Sequence, residues 1–462
     1  MIYYSLFLCI FAIRRVVPLF HEITIFLIYK LKLILILVNH RRLISKKCQE
    51  RISMKESNKR KIINDPVFGF INIPNNFLYD IIQHPYFQRL SRIKQLGLSS
   101  FVYPGAQHTR LQHSLGAMHL MSEAIGQLRL EGHDISLAES EAVQACILLH
   151  DIGHGPFSHT LEHSLVSGVN HEEISLWMMQ KINREIDGKL DMALQIFTNN
   201  YPRKFLHQLV SSQLDMDRLD YLSRDSFYSG VSEGIIGAAR IIKMLNIYND
   251  QLVVEAKGIY SIEKFLVARR LMYWQVYLHK TSVAAEKMLM NILKRAKELA
   301  SKNVDLFASP ALHYFLYNEV AKQQFTDSEF ALRHFTMLDD SDVICAIKVW
   351  SEHSDIVLSF LCKSFIDRRL FKVETGTKPV ADERREVLLK QYMTHFNVST
   401  EDASYFMGEE IVSTDTYSPK DDNINILYKD GTVKDIAEAS DMLNIAVLTK
   451  KVEKFYYCYL KL

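Results

Sequence analysis

The sequence has almost no net charge. Its 55 Lys and Arg against 53 Asp and Glu leave +2 over 462 residues. That balance excludes a chain held on nucleic acid by bulk charge, although it allows a local basic pocket; a stable nucleic-acid complex is not indicated. Cysteine is scarce and scattered at Cys9, Cys48, Cys146, Cys345, Cys362 and Cys458, with no CxxC spacing. A disulfide framework and a cysteine zinc site are thereby excluded, and a reducing, cytoplasmic location is expected. Neither a GxxxxGK[ST] loop nor a GxGxxG fingerprint is present, which argues against P-loop and dinucleotide chemistry. There is no internal repeat and no low-complexity run. What remains, 48% hydrophobic and 23% charged residues, is the composition of an ordinary globular protein with room for two or three domains.

Residues 1–53 differ from the rest. Two apolar stretches, Met1 to Ile13 and Val16 to Val38, are interrupted by Arg14, Arg15, Glu22, Lys30 and Lys32 and followed by Arg41 and Arg42. A spanning helix wants about 18 or more residues with few charges, and no small-residue cleavage site marks a signal peptide. The favoured reading is an extension outside the fold, with Met54 opening an ordinary polar N-terminus. Membrane contact follows only if residues 1–40 form a real anchor.

From residue 54 to about residue 300 the pattern is mainly helical. Ser136-Leu137-Ala138-Glu139 reads as a capping box. Behind it Val143, Cys146, Ile147 and His150 share one face, and Asp151-Ile152-Gly153-His154-Gly155-Pro156 stops the helix. His113, Gly116, Ala117 and Leu120 form another stripe, whose small residues would let a second helix approach closely. Asp217, Asp220, Tyr221, Arg224 and Asp225 also fall near one face; a polar stripe of that kind is most often solvated. Residues 301–462 read as a smaller mixed α+β region. Its helical segments are Ala311 to Val320, Asp340 to Ser351 and Ile356 to Phe365. Strand-like runs follow at Asn423 to Tyr428 and Lys454 to Tyr459, with a turn signal at Lys429-Asp430-Gly431-Thr432.

Histidine is unevenly placed: nine of 18 lie between His108 and His171. Imidazole ligates metals and moves protons near neutral pH. One His on an apolar helix face is more often a satisfied core residue than a ligand. The combination is more specific: His113 on a buried stripe, His150-Asp151 at a helix end, and Asp217 opening a polar stripe. Two imidazoles and two carboxylates make a mixed N/O set that suits Mn, Fe, Ni or Mg, or Zn with fewer ligands, with open positions for water and a substrate oxygen.

These residues match the H…HD…D pattern of the HD-domain phosphohydrolase superfamily. Three longer words, His108-Thr109-Arg110-Leu111-Gln112-His113, His150-Asp151-Ile152-Gly153-His154-Gly155-Pro156-Phe157-Ser158-His159 and Asp217-Arg218-Leu219-Asp220-Tyr221, resemble the deoxynucleoside triphosphate triphosphohydrolases within it. The resemblance runs from Asn64 to about Lys280 and is weaker around Arg368 to Lys372. It implies an HD-domain helical core and a divalent metal held by His113, His150, Asp151 and Asp217. His154 and His159 would face the triphosphate. His171 would be the general acid that protonates the departing 5′ oxygen, oriented by Glu162, where many members have Asp. Arg110, Arg218 and Arg269 would hold phosphates, and Gln95, Leu96 and Asp225 would contact the 3′ hydroxyl. Tyr221 would pack where a 2′ hydroxyl has to fit; exclusion by packing alone is a modest discriminator.

The sequence also departs from the family. Where nucleotide-activated members read guanine with Asp and Arg, this chain has Gln83 and Ser91, so a nucleotide activator, if there is one, need not be GTP. The resemblance further implies a homo-oligomer, with the C-terminal region aiding assembly. The expected activity is conversion of a dNTP and water to deoxynucleoside and tripolyphosphate. The alternatives are another HD phosphohydrolase, acting on a deoxynucleoside monophosphate or a signalling nucleotide, and a nucleotide-binding scaffold with little turnover.

Overall fold

The computed structural model describes residues 61–157, 168–327, 329–414, 417, 423–441 and 451–462. The extension expected over residues 1–53, and with it Glu162 and His159, lie outside the described residues. The described chain is mainly α with small sheets. The helices that build the site are α1 (Arg110–Leu130), α2 (Leu137–Leu149), α3 (His171–Glu185), α4 (Met216–Ser229), α5 (Ile259–Met272), α6 (Lys280–Ser301) and α7 (Asp340–Trp350). Among the described residues no helix is long and apolar enough to cross a membrane.

Helix α2 starts at the capping box that its sequence predicts. Ser136 N–H donates to Glu139 Oε2 at 2.8 Å, and Ser136 Oγ accepts from Glu139 N–H at 3.2 Å. This satisfies two N-terminal donors that have no partner within the helix. The helix is buried almost all round, as a central helix of a bundle must be.

Helices α1 and α4 meet through Gly116. A Cβ on this residue would lie 1.9 Å from Asp220 Oδ1 and 2.1 Å from an Arg224 guanidinium nitrogen, so glycine is what allows the approach. The polar stripe of α4 is therefore not solvated. Asp220 and Arg224 are fully buried and Asp225 nearly so. They form a chain of charges: Arg224 bonds both oxygens of Asp220 at 2.9 and 3.0 Å and reaches Asp65 at 2.7 Å. Asp65 ends β1 (Lys61–Asp65), which pairs with β2 (Gly69–Ile73).

The rest of the sheet structure joins distant parts of the sequence. Strands β3 (Leu245–Tyr248) and β4 (Gln251–Glu255) form a hairpin. Its two turn residues, Asn249 and Asp250, both have positive φ, the conformation that a tight hairpin turn needs. This hairpin falls within the stretch that reads as helical, because two short strands leave little periodicity. Further along come β5 (Lys372–Gly376), β6 (Met407–Thr414), β7 (Asn425–Leu427), β8 (Val433–Asp435) and β9 (Val452–Tyr459). Strand β4 pairs in parallel with β7, which pairs antiparallel with β8, while β9 lies between β5 and β6. The expected strands at 423–428 and 454–459 are thus β7 and β9, and the turn between β7 and β8 has Gly431 at φ +84°. Residues 62–462 form one compact unit.

Gly116→Ala should destabilise the chain by about 3–5 kcal/mol, because its methyl group breaks a buried ion pair. Denaturant unfolding measures this directly. A loss below about 1 kcal/mol would mean that the two helices can separate cheaply.

Candidate metal centre and active site

Four side chains from three places in the fold meet beside α4. His113 comes from the buried face of α1. His150 and Asp151 follow the last turn of α2, and Asp217 lies in the first turn of α4. Asp215 caps that helix, accepting from the backbone N–H groups of Ser212 (2.8 Å) and Arg218 (2.7 Å). The turn after α2 is pinned by α3: Ser175 Oγ donates to His150 O (2.8 Å) and accepts from Gly153 N–H (2.9 Å). A Cβ at Gly153 would meet His171 O at 2.2 Å, so the Gly in His150-Asp151-Ile152-Gly153 lets α3 dock. Docking brings His171, the first residue of α3, onto His154 with ring centroids 3.9 Å apart and planes 15° from parallel.

Within the cluster, His113 Nε2 lies 3.1 Å from Asp217 Oδ1 and 3.8 Å from Asp151 Oδ2. His150 Nε2 lies 3.4 Å from Asp151 Oδ1 and 3.4 Å from Asp217 Oδ1. These are separations of donor atoms that share one ion through bonds of about 2.1 Å. The orientation of both rings supports the same fit. His113 Nδ1 faces Asp220 Oδ2 at 2.7 Å, and His150 Nδ1 donates to Ile147 O at 2.6 Å. An acceptor on Nδ1 fixes the proton there and turns the Nε2 lone pair into the cluster. Both Nε2 atoms are buried without a hydrogen-bond partner among the described residues, which is costly unless a cation uses them. His113, His150 and Asp151 are thus a group that could hold a divalent metal ion, and Asp217 stands within reach as a fourth donor.

The electrostatics are those of a cation site. Burial pushes the Asp217 carboxyl up, but His113 and His150 outweigh it and hold the group well below the usual carboxylate range. Burial is likewise overcome at Asp151, by His150, His154 and Arg110, so it too is ionised. Burial alone would depress His113, yet the facing Asp217 and Asp220 carboxylates raise it to about 10. The carboxylates that favour a proton on His113 equally favour a metal ion, which competes for the same lone pair. His154 goes the other way: burial first, then Arg110, push it well below the ordinary imidazole value. It faces His171 as a neutral ring.

A cavity of about 590 Å³ opens from the cluster along α4, the size of a nucleotide-scale pocket. Its wall includes Asp217, Arg218, Tyr221 and Asp225, which span about two helical turns, or roughly 12 Å. Of the expected site residues, Gln95, Leu96, Arg110, Asp151, His154 and His171 line it as well. Gln95 is held by its N–H to His108 O at 3.0 Å, and its side-chain oxygen is buried without a hydrogen-bond partner among the described residues. Arg110 is paired with Asp151, and Arg218 with Asp215. Asp225 takes hydrogen bonds from His108 (2.7 Å) and Tyr277 (2.9 Å). Arg269 does not line the cavity. It donates to Gln213 at 2.9 Å and lies 6.0 Å from the ring of Tyr273, which does.

Sequence reasoning missed Tyr273, Tyr277, Leu278 and Glu286. Tyr273 and Tyr277 are the ends of the π-helical turn after α5 and Leu278 follows it; such turns are frequent at functional sites. Two Tyr spaced i, i+4 beyond Arg269 were the available signal. For Glu286 there was none.

Models of known families match two consecutive parts of the chain, the HD domain over residues 110–225 and the HD associated region over residues 236–309. The chain is 30% identical over 415 residues to the uncharacterized protein YwfO of Bacillus subtilis, covering 86% of this chain and 92% of that one. The crystal structure of a phosphohydrolase from Bacteroides thetaiotaomicron superposes with a TM-score of 0.85 at 62% identity, covering 87% of this chain and all of the other. This chain belongs to the HD-domain phosphohydrolase superfamily. Part of the chain is also similar to proteins named as dNTP triphosphohydrolases. It is 32% identical over 258 residues to the Dictyostelium discoideum homolog of the deoxynucleoside triphosphate triphosphohydrolase SAMHD1, which is 52% of this chain and 50% of that protein. HD-domain membership and the His113, His150 and Asp151 cluster together support a metal-dependent phosphohydrolase.

Two predictions follow from this geometry. Asp220→Asn should weaken divalent-metal binding by about 10–100-fold, the usual cost of losing the carboxylate behind a ligating His; metal titration of the folded variant tests this. Glu286 is raised to about 7 by burial and then by the neighbouring Glu410 carboxylate. The folded state therefore holds this proton more tightly than the unfolded chain does. The associated stability is complete below the ordinary carboxyl value and is lost as pH rises towards 7. Glu286→Gln should gain thermal stability relative to wild type at pH 8 and little at pH 5. An equal difference at both pH values would contradict the shift.

Proposed function

We propose that the chain hydrolyses deoxynucleoside triphosphates to deoxynucleoside and tripolyphosphate. The observation that carries this reading is the cavity along α4. Two imidazoles and two carboxylates converge at one end with Arg110, Arg218, His154 and His171, and a hydroxyl-rich, aromatic wall continues to Asp225 and Tyr277. The likeness to relatives named as dNTP triphosphohydrolases supports it. In this reading His113, His150, Asp151 and Asp217 hold the divalent ion, which supplies Lewis-acid activation of water and of a phosphoryl oxygen.

The chain's own groups do the rest. Arg110 and Arg218 hold the phosphates, and His154, neutral and stacked on His171, keeps that second ring aimed at the cavity. His171 gives its proton to the departing 5′ oxygen. His159 and Glu162, outside the described residues, keep the roles that the resemblance implies: phosphate contact and orientation of His171. Gln95 offers a buried acceptor to a sugar hydroxyl, Leu96 lies beside it, and Asp225 is aligned for the 3′ side by His108 and Tyr277. Tyr221 packs against the ribose where a 2′ hydroxyl would sit. Arg269 acts through Tyr273 rather than by direct phosphate contact. The active form is a homo-oligomer, and the activating nucleotide, if one is used, is read by something other than an Asp and Arg at positions 83 and 91.

One observation favours a second reading. Both cavity arginines already have aspartate partners, which leaves less positive charge for a long phosphate chain and suits a deoxynucleoside monophosphate. Metal-loaded turnover with each dNTP, singly and mixed, separates the two. Tripolyphosphate with deoxynucleoside is expected; orthophosphate from monophosphates alone would select the second reading. In the same assay His171→Ala should retain bound metal and lose about two to four decades of rate. Asp217→Ala should lose both metal and turnover.

A further inference from the structure

Helix α7 lies outside the HD domain match, yet its first residue holds two walls of the cavity. Asp339 does the capping: its carboxylate accepts from Ser341 N–H at 2.9 Å and from Arg92 Nε at 2.6 Å. The helix therefore has no need of the Asp340 carboxylate. That group is turned away from its own helix and is buried. Its Oδ2 accepts the N–H of Lys94 and its Oδ1 the N–H of Phe157, each at 3.0 Å.

Both contacts fall where the cavity is made. Lys94 precedes Gln95 and Leu96, and Phe157 closes the turn that begins with His154. Phe157 has φ +52°, a conformation uncommon for a bulky residue and kept only when its surroundings impose it. A hydrogen bond from its N–H to a carboxylate is such a constraint. The Phe157 ring is itself buried in the core, so the bond acts together with packing. A second cavity, of about 530 Å³, lies between these segments and α7, with Gly97, Phe157, Asp340 and Phe365 in its wall. The turn before α7 is tied to the same region through the fully buried Arg89, which donates to Leu338 O at 3.1 Å and Ile152 O at 3.3 Å.

We propose that Asp340 is a positioning residue: its carboxylate clasps the Lys94 and Phe157 amides and so sets the substrate-facing segments at residues 94–97 and 154–157. It touches neither the metal ligands nor the substrate. The inference rests on this cavity being the site of turnover, whichever nucleotide is hydrolysed.

Asp340→Ala removes both hydrogen bonds, whereas Asp340→Asn keeps one acceptor oxygen. Asp339→Ala is the control, because it weakens the start of the same helix without touching either segment. Activity is measured on whichever substrate, triphosphate or monophosphate, the wild type turns over, so the clasp is tested even where the triphosphate reading fails. Asp340→Ala should lose about 10²-fold in kcat/KM, the usual effect of a small misplacement, with metal content unchanged. Asp340→Asn should recover part of the loss, and Asp339→Ala should stay within about threefold of wild type. Hydrogen exchange gives a readout independent of turnover: amides in 94–97 and 154–157 should exchange faster in Asp340→Ala than in Asp339→Ala. If the two Ala variants lose activity and protection alike, or both segments stay protected in Asp340→Ala, the proposal is overturned.

Discussion

Arg224 occupies the centre of a buried chain that runs from Asp65 through Asp220 to His113. Each link satisfies the next: the guanidinium neutralises two carboxylates, and Asp220 holds the proton-bearing side of the imidazole so that Nε2 faces Asp217. Removing one member leaves an uncompensated charge in a low-dielectric interior, a loss much larger than the net value of the pair. The metal cluster is therefore built from behind as much as from its ligands. Gly116 is the geometric condition for all of it, because any side chain there would occupy the space of Asp220 and Arg224.

The cluster that could hold a metal was legible because local words carry it. A helix that must end at His150, a glycine directly behind the His-Asp pair, and a stripe through His113 can each be read from neighbouring residues. The supporting chain was less legible. Periodicity places Asp220 and Arg224 on one face of a helix, but what that face meets is a tertiary fact, so the ordinary expectation of a solvated stripe failed. The β3–β4 hairpin was missed for a related reason: each strand is too short for its alternation to stand out, and β4 finds its second neighbour, β7, about 170 residues later in the chain. Arg269 shows the converse. It matches a phosphate-holding position, yet it lies 6.0 Å from the ring of Tyr273, which lines the cavity where Arg269 does not, a placement no spacing rule supplies.

Residues beyond 300 are tied to the site at more than one level. Strands β4 and β7 share a sheet, Lys287 next to Glu286 bonds Glu410 on β6 at 3.1 Å, and Tyr456 on β9 donates to Leu278 O at 3.1 Å. The cavity wall at Leu278 and Glu286 is thus backed by the C-terminal sheet, as the 94–97 and 154–157 segments are backed by α7. An HD core supplies the cluster, and later elements determine the shape of the cavity around it. That division is physically sensible: ligand geometry tolerates little change, whereas the remaining wall can vary with the elements packed behind it.

The charges in the wall carry this one step further. Asp151, Asp217, Asp225 and Glu286 face the cavity against Arg110 and Arg218, and one arginine is paired inside the cavity while the other is paired just behind it. Asp225 is hydrogen-bonded to His108 and Tyr277, and Glu286 is protonated over much of the acidic range, but Asp151 and Asp217 remain ionised. A polyanion entering such a wall gains little from the protein charges alone. A divalent cation held there would offset the charge of both aspartates, which removes most of the repulsion a phosphate would meet in a low-dielectric cleft. Under the proposed function a divalent ion would therefore serve substrate binding as well as the chemical step, because the carboxylates that would hold it are those that would otherwise repel the phosphates.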